Sequence, residues 1–256
     1  MSGLYVTMLG CGTSTGVPVI GCPCAVCTST DAKNRRMRAS VSVEYGGRTV
    51  LFDTSTDLRQ QALQFGLRRV DAVFYTHHHA DHVNGIDELR AFNFLQQATI
   101  PIFANAQTMR RIERYFEHIF SDAVTAGGKA NVLPTIVDGR PITVHGMTVQ
   151  PIPLVHFEAE VTGYRIGPFA YLTDCKAIPE TSWPLLAGVT HIILDCLRHE
   201  THISHMNVAE ALEVVERLRP VRAVFTHMNH EMDYATASRA LPPGVELGYD
   251  GLVIEC

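Results

Sequence analysis

Four imidazoles and one carboxylate crowd into the stretch THHHADH, residues 76–82, which directly follows the apolar run AVFY at residues 72–75. Alternate side chains of extended backbone point the same way, so His77 and His79 can face one point while His78 faces away. Asp81 and His82 follow where the chain turns, and they can face a second, neighbouring point. Such groups are ligands for Zn²⁺, Mn²⁺ or Fe²⁺, and one ion rarely takes five donors from one loop. The stretch therefore predicts two neighbouring metal ions, with His78 as the bystander.

Three other strand-like runs end in further candidate ligands. PIPLVH ends in His156, AYLTDC carries Asp174 after an apolar run, and AVFTHMNH carries His227. A single residue of this kind is more often structural than a ligand. Donors at several strand ends are more informative, because the sites of layered folds often lie at the edge where strands end. We therefore expect these three residues to join the donors of residues 76–82.

The order His-x-His-x-Asp-His, then His, Asp and His, resembles the metallo-β-lactamase superfamily, and within it the hydrolases with two metal ions. The resemblance implies an α/β fold, the αββα metallo-β-lactamase sandwich, in a single domain over residues 1–256. It implies that Asp174 bridges two ions, the first bound by His77, His79 and His156 and the second by Asp81, His82 and His227. The segment LFDTSTDL at residues 51–58 resembles the superfamily's first motif. That motif makes Asp53 a candidate to orient a ligand histidine, the alternative being an ordinary turn aspartate.

Three cysteines, Cys22, Cys24 and Cys27, crowd into GCPCAVC at residues 21–27. The seven cysteines of the chain are an odd number, which fits a disulfide framework poorly, whereas clustered thiols often bind metal. A structural zinc ion takes four ligands, and we expect His230, three residues beyond His227, to supply the fourth. A zinc-binding loop at residues 21–28 would then lie beside the catalytic centre. The alternative is a loop with three free thiols.

The cysteine cluster restricts the resemblance to one group of proteins within the superfamily. Together with MLGCGTSTGVP at residues 8–18, KNRRMRAS at 33–40 and HMNH at 227–230, it resembles the PhnP-type phosphodiesterases of phosphonate catabolism. The PqqB-type proteins of cofactor synthesis have a similar cysteine cluster but usually differ from the hydrolases at the ligands of the two metal ions. In this sequence the set of dinuclear ligands is complete. The resemblance implies hydrolysis of a small cyclic phosphodiester, such as a ribosyl 1,2-cyclic phosphate. It also implies two catalytic ions, Mn²⁺ or Zn²⁺, and one structural Zn²⁺.

The reaction requires a general acid as well as metal ions. Two close ions polarise a phosphoryl oxygen and generate hydroxide near neutral pH, but a departing alkoxide needs a proton. The segment RHETHISHMNV at residues 198–208 offers His199, His202 and His205. By the resemblance, His205 protonates the leaving oxygen, with His202 as its rival. The predicted catalytic residues are therefore His205 and Asp174.

Composition limits the classes of function. The chain has 256 residues, 46% hydrophobic content and a net charge of −5, which disfavours binding of nucleic acid. With no signal-peptide pattern and no apolar run of membrane-spanning length, we expect a cytoplasmic protein with no membrane contact. The resemblance adds a homodimer as an expectation. The alternatives are a tRNA 3′-processing nuclease, a lactone or thioester hydrolase and a non-catalytic PqqB-like carrier. Arg35, Arg36 and Arg38 either bind a second substrate phosphate or form a solvated basic loop.

The hydrophobic pattern predicts strands interspersed with helices. We expect strands at Tyr5–Leu9, Ser40–Tyr45, Thr49–Asp53, Ala72–Thr76, Ile102–Asn105, Thr148–Pro153, Glu160–Ile166, Phe169–Thr173, His191–Asp195, Ala223–Thr226 and Leu252–Glu255. We expect helices at Thr56–Phe65, Gly85–Phe94, Ala106–Ile119, Asn207–Leu218 and Tyr234–Ala240. The segment Ser121–Gly139 is predicted to be an irregular surface loop.

Overall fold

The structure, a computed structural model, describes residues 3–121, 128–157 and 159–256. Its first sheet contains β1 (Tyr5–Gly10), β2 (Ser40–Tyr45), β3 (Arg48–Phe52), β4 (Ala72–Phe74), β5 (Ile100–Ala104), β6 (Val132–Ile136) and β14 (Val253–Glu255). Its second sheet contains β7 (Ile142–Val144), β8 (Met147–His156), β9 (Ala159–Ile166), β10 (Phe169–Leu172), β11 (His191–Asp195), β12 (Arg222–Thr226) and β13 (Val245–Leu247). The strands lie side by side in the orders β14-β1-β2-β3-β4-β5-β6 and β13-β12-β11-β10-β9-β8-β7.

Each sheet is antiparallel on one side and parallel on the other. Strands β3 to β6 pair in parallel, as do β10 to β13. Parallel strands need crossover connections, and helices supply most of them. The helices are α1 (Leu58–Phe65), α2 (Ala80–Val83), α3 (Leu89–Gln96), α4 (Ala106–Tyr115), α5 (Glu117–Phe120), α6 (Val208–Leu218) and α7 (Tyr234–Ala240). In the described part of the chain, none of them has the length and apolar character to cross a membrane.

Buried apolar side chains hold the layers together. Between the sheets, the ring centroids of Phe52 and Tyr164 lie 5.4 Å apart, and the Tyr164 hydroxyl donates a 2.7 Å hydrogen bond to the carbonyl of Tyr75. On the outer face of the first sheet, α1, α3 and α4 bury Leu58, Phe92 and Met109 in a second cluster. Helices α6 and α7 add Ala211, Val214 and Ala237 to the main cluster. These layers confirm the αββα sandwich implied by the resemblance.

Three predicted segments differ in kind from the structure, and the strands β7 and β13 were not predicted. The predicted loop Ser121–Gly139 contains the edge strand β6. Because this strand is mostly exposed and contains a proline, its sequence lacks the alternation of apolar and polar residues that predicts a strand. Residues 122–127 of that loop lie outside the described residues. The predicted helix Ala106–Ile119 is broken at Phe116, whose φ of −117° and ψ of 41° end α4. The predicted helix Gly85–Phe94 is a 3₁₀ turn at Ile86–Glu88 followed by α3.

Candidate dinuclear metal centre

Strand ends deliver most of the donors predicted from the sequence. His77 and His79 follow β4, His156 ends β8, Asp174 follows β10 and His227 follows β12. Asp81 and His82 lie on α2, which begins directly after His79. Asp53, Asp174 and His227 have φ values of 63°, 51° and 60°, a region that costs non-glycine residues on the order of 1–3 kcal/mol. Three such residues at neighbouring strand ends mark this edge of the fold as a functional site.

The first donor group consists of His77, His79, His156 and Asp174, whose ligand atoms lie within 4.8 Å of one another. From Oδ1 of Asp174, the Nε2 atoms of His77 and His156 lie at 3.7 and 4.0 Å. Around a tetrahedral zinc ion with bonds of about 2.1 Å, ligand atoms are roughly 3.4 Å apart. The group therefore has a spacing that fits one divalent ion after small adjustments.

The second donor group consists of Asp81, His82 and His227. Nε2 of His82 lies 3.2 Å from Oδ2 of Asp81 and 3.1 Å from Oδ2 of Asp174. Nε2 of His227 lies 3.5 Å from Oδ2 of Asp81 and 3.4 Å from Oδ1 of Asp174. Asp174 therefore lies between the two groups, where its two oxygens can serve two ions. His78 belongs to neither group.

Buried nitrogen atoms test whether these residues fit metal ions. Nε2 of His77, His82 and His227 is buried and has no hydrogen-bond partner among the described residues. Buried polar atoms without partners are rare and costly, whereas a neutral imidazole nitrogen is a good metal ligand. The residues present fit two divalent cations, which would bind these nitrogens and the carboxylates of Asp81 and Asp174.

Hydrogen bonds behind the donors fix the histidine rings. Nδ1–H of His82 donates to Oδ2 of Asp53 at 2.8 Å, so Nε2 is left for a ligand. Nδ1 of His77 lies 3.0 Å from the hydroxyl of Thr76, which in turn lies 2.9 Å from Asp53. Nδ1–H of His156 donates to the carbonyl of Ser204 at 2.8 Å. Such outer contacts orient metal ligands. The sequence pointed to Asp53 but gave no signal for Thr76.

Charges in the centre match a cation site. Burial, reinforced by the charge of His82, holds the pKa of His77 well below its usual value. Burial opposes ionisation of Asp81, but the charge of His82 and the hydrogen bonds of His227 and His82 together outweigh it and lower the pKa of that carboxyl. Burial also opposes protonation of His82, yet the charges of Asp174, Asp81 and Asp53 raise its pKa well above the usual value. The three carboxylates therefore favour positive charge at this point, and a bound metal ion would supply it in place of a proton.

His205 lies beside both donor groups. Its ring centroid is 4.8 Å from that of His156 and 4.7 Å from that of His227. Its Nδ1 is 3.1 Å from Oδ1 of Asp195. Burial opposes protonation of His205, but the charge and hydrogen bond of Asp195 outweigh it and raise the pKa to about 9.

Asp195 is a functional candidate that the sequence reasoning missed. Its carboxylate also accepts hydrogen bonds from the backbone N–H groups of Met206 at 2.8 Å and Asp174 at 3.1 Å. It therefore links the His205 loop to the candidate bridging residue. The available signal was the same as for Asp174, namely an aspartate at the end of the apolar run HIILD.

His202 has a different environment. Its ring centroid lies 5.2 Å from that of His205, and its Nδ1 contacts the backbone N–H and the hydroxyl of Ser204 at 3.3 and 3.2 Å. No carboxylate among the described residues forms a hydrogen bond or ion pair with it. This arrangement favours His205 over His202 as the candidate general acid.

The cysteine loop meets His230. Nδ1 of His230 lies 3.3 Å from Sγ of Cys22 and 3.5 Å from Sγ of both Cys24 and Cys27. Around a tetrahedral zinc ion, nitrogen and sulfur ligands are about 3.5 Å apart, so these four residues fit one structural zinc ion. No disulfide occurs within the described ranges, where all seven cysteines are free thiols.

The basic segment at residues 33–40 is largely structural. Arg36 is buried, with 2% of its surface exposed, and donates to the carbonyl of Asn229 at 3.0 Å. Arg38 forms a 2.8 Å ion pair with Asp57, whereas Arg35 is exposed. The explanation as a solvated loop is therefore wrong for Arg36, because its guanidinium connects the N-terminal loop to the segment that carries His230.

Comparison with known proteins identifies the class. Residues 48–228 match the model of the beta-lactamase superfamily domain, and the chain belongs to that superfamily. With its layered fold and its convergent donors, it is a protein of the metallo-β-lactamase fold with a candidate dinuclear metal centre.

Within this class, the chain is similar over its full length to a diphosphatase of the PhnP family. The two are 40% identical with a TM-score of 0.92, over 99% of this chain and 98% of that one. An octanoyltransferase of Porphyromonas gingivalis is 33% identical over 96% of this chain, but the match spans only 50% of that protein. Zinc-bound PqqB from Methylobacterium extorquens shares the fold, with 20% identity and a TM-score of 0.76 over 98% of this chain and 100% of that one.

Proposed function

We propose that this protein is a metal-dependent phosphodiesterase that hydrolyses a small cyclic phosphodiester, such as a ribosyl 1,2-cyclic phosphate. The diphosphatase of the PhnP family supports a phosphate substrate, because it is 40% identical to this chain. The proposed catalytic ligands are the seven residues of the two donor groups, and the proposed structural zinc ligands are Cys22, Cys24, Cys27 and His230. Mn²⁺ and Zn²⁺ both suit the catalytic donors.

The pairing of His205 with Asp195 beside the donor groups carries the proposal. Bound divalent ions would polarise the phosphoryl oxygens and make water a nucleophile near neutral pH. Asp195 accepts the Nδ1–H of His205, which leaves Nε2 as the nitrogen that exchanges a proton with the substrate. His205 thereby protonates the leaving oxygen of the ester, and Asp195 positions it.

The complete donor set favours a hydrolase over a non-catalytic carrier. A nuclease acting on tRNA is disfavoured by the net charge of −5, since a polyanionic substrate is usually met by a basic surface. Octanoyl transfer is not carried over, because this chain matches only half of the protein with that name. The remaining alternative is a lactone or thioester hydrolase, and kinetic measurements must distinguish it from a phosphodiesterase.

The test is hydrolysis of bis(p-nitrophenyl) phosphate by protein loaded separately with Mn²⁺ and Zn²⁺. The corresponding monoester and a simple lactone are assayed separately for comparison. We expect metal-dependent turnover of this diester and loss of turnover in Asp174→Ala. On a cyclic diester with an alkoxide leaving group, such as a nucleoside 2′,3′-cyclic phosphate, we expect a fall in kcat of about 10²- to 10⁴-fold in His205→Ala, because an alkoxide, unlike p-nitrophenolate, needs a proton to leave. His199→Ala is the matched control, because His199 is an exposed histidine of the same loop.

Two outcomes would contradict the proposal. Lactone turnover without diester turnover would make the protein a carbonyl hydrolase. Equal kcat values for His205→Ala and His199→Ala on the cyclic diester with the alkoxide leaving group would remove the general-acid role of His205.

A further inference from the structure

The loop that carries His205 is closed at its neck by backbone hydrogen bonds. We refer to residues 198–207 as the His205 loop. The backbone N–H of Val208 donates to the carbonyl of Arg198 at 3.1 Å, and the N–H of Leu197 donates to the carbonyl of Met206 at 2.9 Å. These bonds join the beginning of the loop to its end. His205 lies directly before Met206 and therefore at the end of the loop that is well fixed.

The other half of the His205 loop has few contacts. Residues 199–201 and 203 are exposed. Apart from the contacts of His202 with Ser204, residues 199–203 form one hydrogen bond within the described ranges, in which Nη2 of Arg198 donates to the carbonyl of Thr201 at 3.1 Å. Exposed segments with few hydrogen bonds open easily. The side chain of Arg198 is therefore the main restraint on the half of the loop that precedes His205.

The same guanidinium reaches a second segment of the chain. Nη1 of Arg198 forms an ion pair with Oε1 of Glu231 at 3.5 Å. Glu231 is itself held by Asn229, whose side-chain amide donates to Oε1 of Glu231 at 3.0 Å and whose side-chain oxygen accepts the backbone N–H of Glu231 at 2.9 Å. The backbone N–H of Asn229 in turn donates to the carbonyl of Leu197 at 2.9 Å. The neck of the His205 loop is thus tied to the segment that carries His230.

The pose of the Arg198 side chain indicates a structural constraint. Its Nε atom is buried and has no hydrogen-bond partner among the described residues, although the side chain as a whole is 29% exposed. A buried N–H without an acceptor costs free energy, and an unconstrained arginine would extend its head into water. The contacts of Arg198 with Thr201 and Glu231 must therefore outweigh this cost.

The charge of Arg198 also acts on the rival histidine. Burial, reinforced by the charges of His205 and Arg198, lowers the pKa of His202. His202 is therefore neutral near pH 7, whereas the pKa of His205 is raised to about 9. Arg198 thus helps to keep the proton of the loop on His205.

We propose that Arg198 is a positioning residue for His205, whose guanidinium holds the His205 loop through Thr201 and Glu231 so that His205 stays aligned with Asp195 and the leaving oxygen. Within the described residues, Arg198 forms no hydrogen bond or ion pair with the donor groups or with Asp195, so it acts through the loop. This inference rests on the proposed function, because it assumes that His205 protonates the leaving oxygen.

The test compares two diesters that differ in their need for a proton. p-Nitrophenolate leaves bis(p-nitrophenyl) phosphate without one, whereas the alkoxide of a nucleoside 2′,3′-cyclic phosphate needs one. In Arg198→Gln we expect kcat on the cyclic diester to fall about tenfold, because a misplaced acid transfers its proton less efficiently, and kcat on bis(p-nitrophenyl) phosphate to stay within about twofold.

Arg217→Gln is the matched control for this substitution. Arg217 also pairs with a glutamate, at 2.6 Å from Glu180, but it lies on α6, outside the His205 loop. Both kcat values should be unchanged in this variant. An equal fall in kcat on the two diesters in Arg198→Gln would reduce Arg198 to a general structural role and overturn the proposal, as would unchanged kcat values on both.

Glu231→Gln tests the path through the ion pair. We expect a smaller fall in kcat on the cyclic diester than in Arg198→Gln, because the contact with Thr201 remains. The double variant should match Arg198→Gln alone, since the two single changes remove the same ion pair. Additive losses in the double variant would overturn the part of the proposal that involves Glu231.

A spectroscopic measurement separates the two proposals. In protein loaded with diamagnetic Zn²⁺, the proton on Nδ1 of His205 that faces Asp195 gives a downfield NMR signal, assigned by its loss in His205→Ala. We expect this signal to shift or broaden in Arg198→Gln and to be unchanged in Arg217→Gln. Turnover of both diesters with the signal and the kcat values unaltered in Arg198→Gln would overturn the positioning role but not the phosphodiesterase. Absence of turnover by wild-type protein together with an Arg198-dependent signal would overturn the phosphodiesterase but not the positioning of His205.

Discussion

Asp53 shows how one side chain can organise the candidate centre. It follows β3 with a φ of 63° and is fully buried. Its carboxylate accepts from Nδ1–H of His82 and from the backbone N–H and hydroxyl of Thr76. Since Thr76 also contacts His77, a single buried carboxylate orients one histidine in each donor group.

Asp53→Ala is expected to weaken metal binding. Loss of an outer-shell partner costs about 10- to 100-fold in metal affinity, because the ligand ring is no longer fixed. Metal content after dialysis against a graded series of chelator concentrations measures the change. Asp57→Asn is the control, because Asp57 lies in the same segment but pairs with Arg38. Equal metal retention by Asp53→Ala and wild-type protein would contradict the role given to Asp53.

Asp71 joins two neighbouring strands just before β4. Its carboxylate accepts hydrogen bonds from Nε of Arg69 at 2.7 Å, from the backbone N–H of Thr49 at 2.9 Å and from Arg48 at 2.9 Å. Burial opposes ionisation, but these contacts outweigh it and lower the pKa of Asp71 to about 2. Because Thr49 and Arg48 belong to β3, the contacts fix β3 beside β4 and thereby the strand ends that carry Asp53 and His77.

Asp71→Asn is expected to destabilise the protein in a pH-dependent way. The pKa of Asp71 is lower in the folded state than in the unfolded state, so its stabilisation is fully present above about pH 4 and is lost as the pH falls toward 2. The Tm should fall by roughly 3–8 °C at pH 7, and the difference from wild-type protein should shrink between pH 4 and pH 3. Thermal unfolding across this range measures it.

Asp138→Asn is the control for this prediction. The pKa of Asp138 is also lowered, by hydrogen bonds from Arg140, but both side chains are exposed and such pairs contribute little to stability. A Tm difference for Asp71→Asn that stays constant down to pH 3 would contradict the assigned cause.

At the scale of the whole molecule, the cysteine loop connects distant parts of the chain. Residues 22–27 meet His230, three residues beyond the candidate ligand His227. Gly12 and Met228 also form an isolated bridge, and Arg36 binds the carbonyl of Asn229. The proposed zinc ion would thus hold the N-terminal loop against the segment that carries one catalytic ligand.

Cys24→Ser is expected to remove one zinc ion per chain. Binding of a structural metal adds directly to folding stability, so we expect the Tm to fall by roughly 5–10 °C and diester turnover to fall with it. Metal analysis and thermal unfolding check both effects. Cys256→Ser is the control, because Cys256 belongs to neither the cysteine loop nor a donor group. An unchanged zinc content in Cys24→Ser would contradict the proposed zinc site.

Local sequence patterns determined much of the fold and of the donor list. The extended stretch at residues 76–79 predicted that His78 faces away from His77 and His79, and His78 lies outside both donor groups. Apolar runs that end in His or Asp predicted the strand ends. Both are local properties, because the alternation of side chains and the burial of a strand depend on neighbouring residues.

Tertiary structure decided what depends on contacts between distant segments. No local pattern distinguishes His205 from His202, and only the position of Asp195 next to His205 does so. The burial of Arg36 depends on the carbonyl of Asn229. A charged side chain in a sequence looks the same whether it is solvated or paired, because the partner that determines its environment is set by the fold.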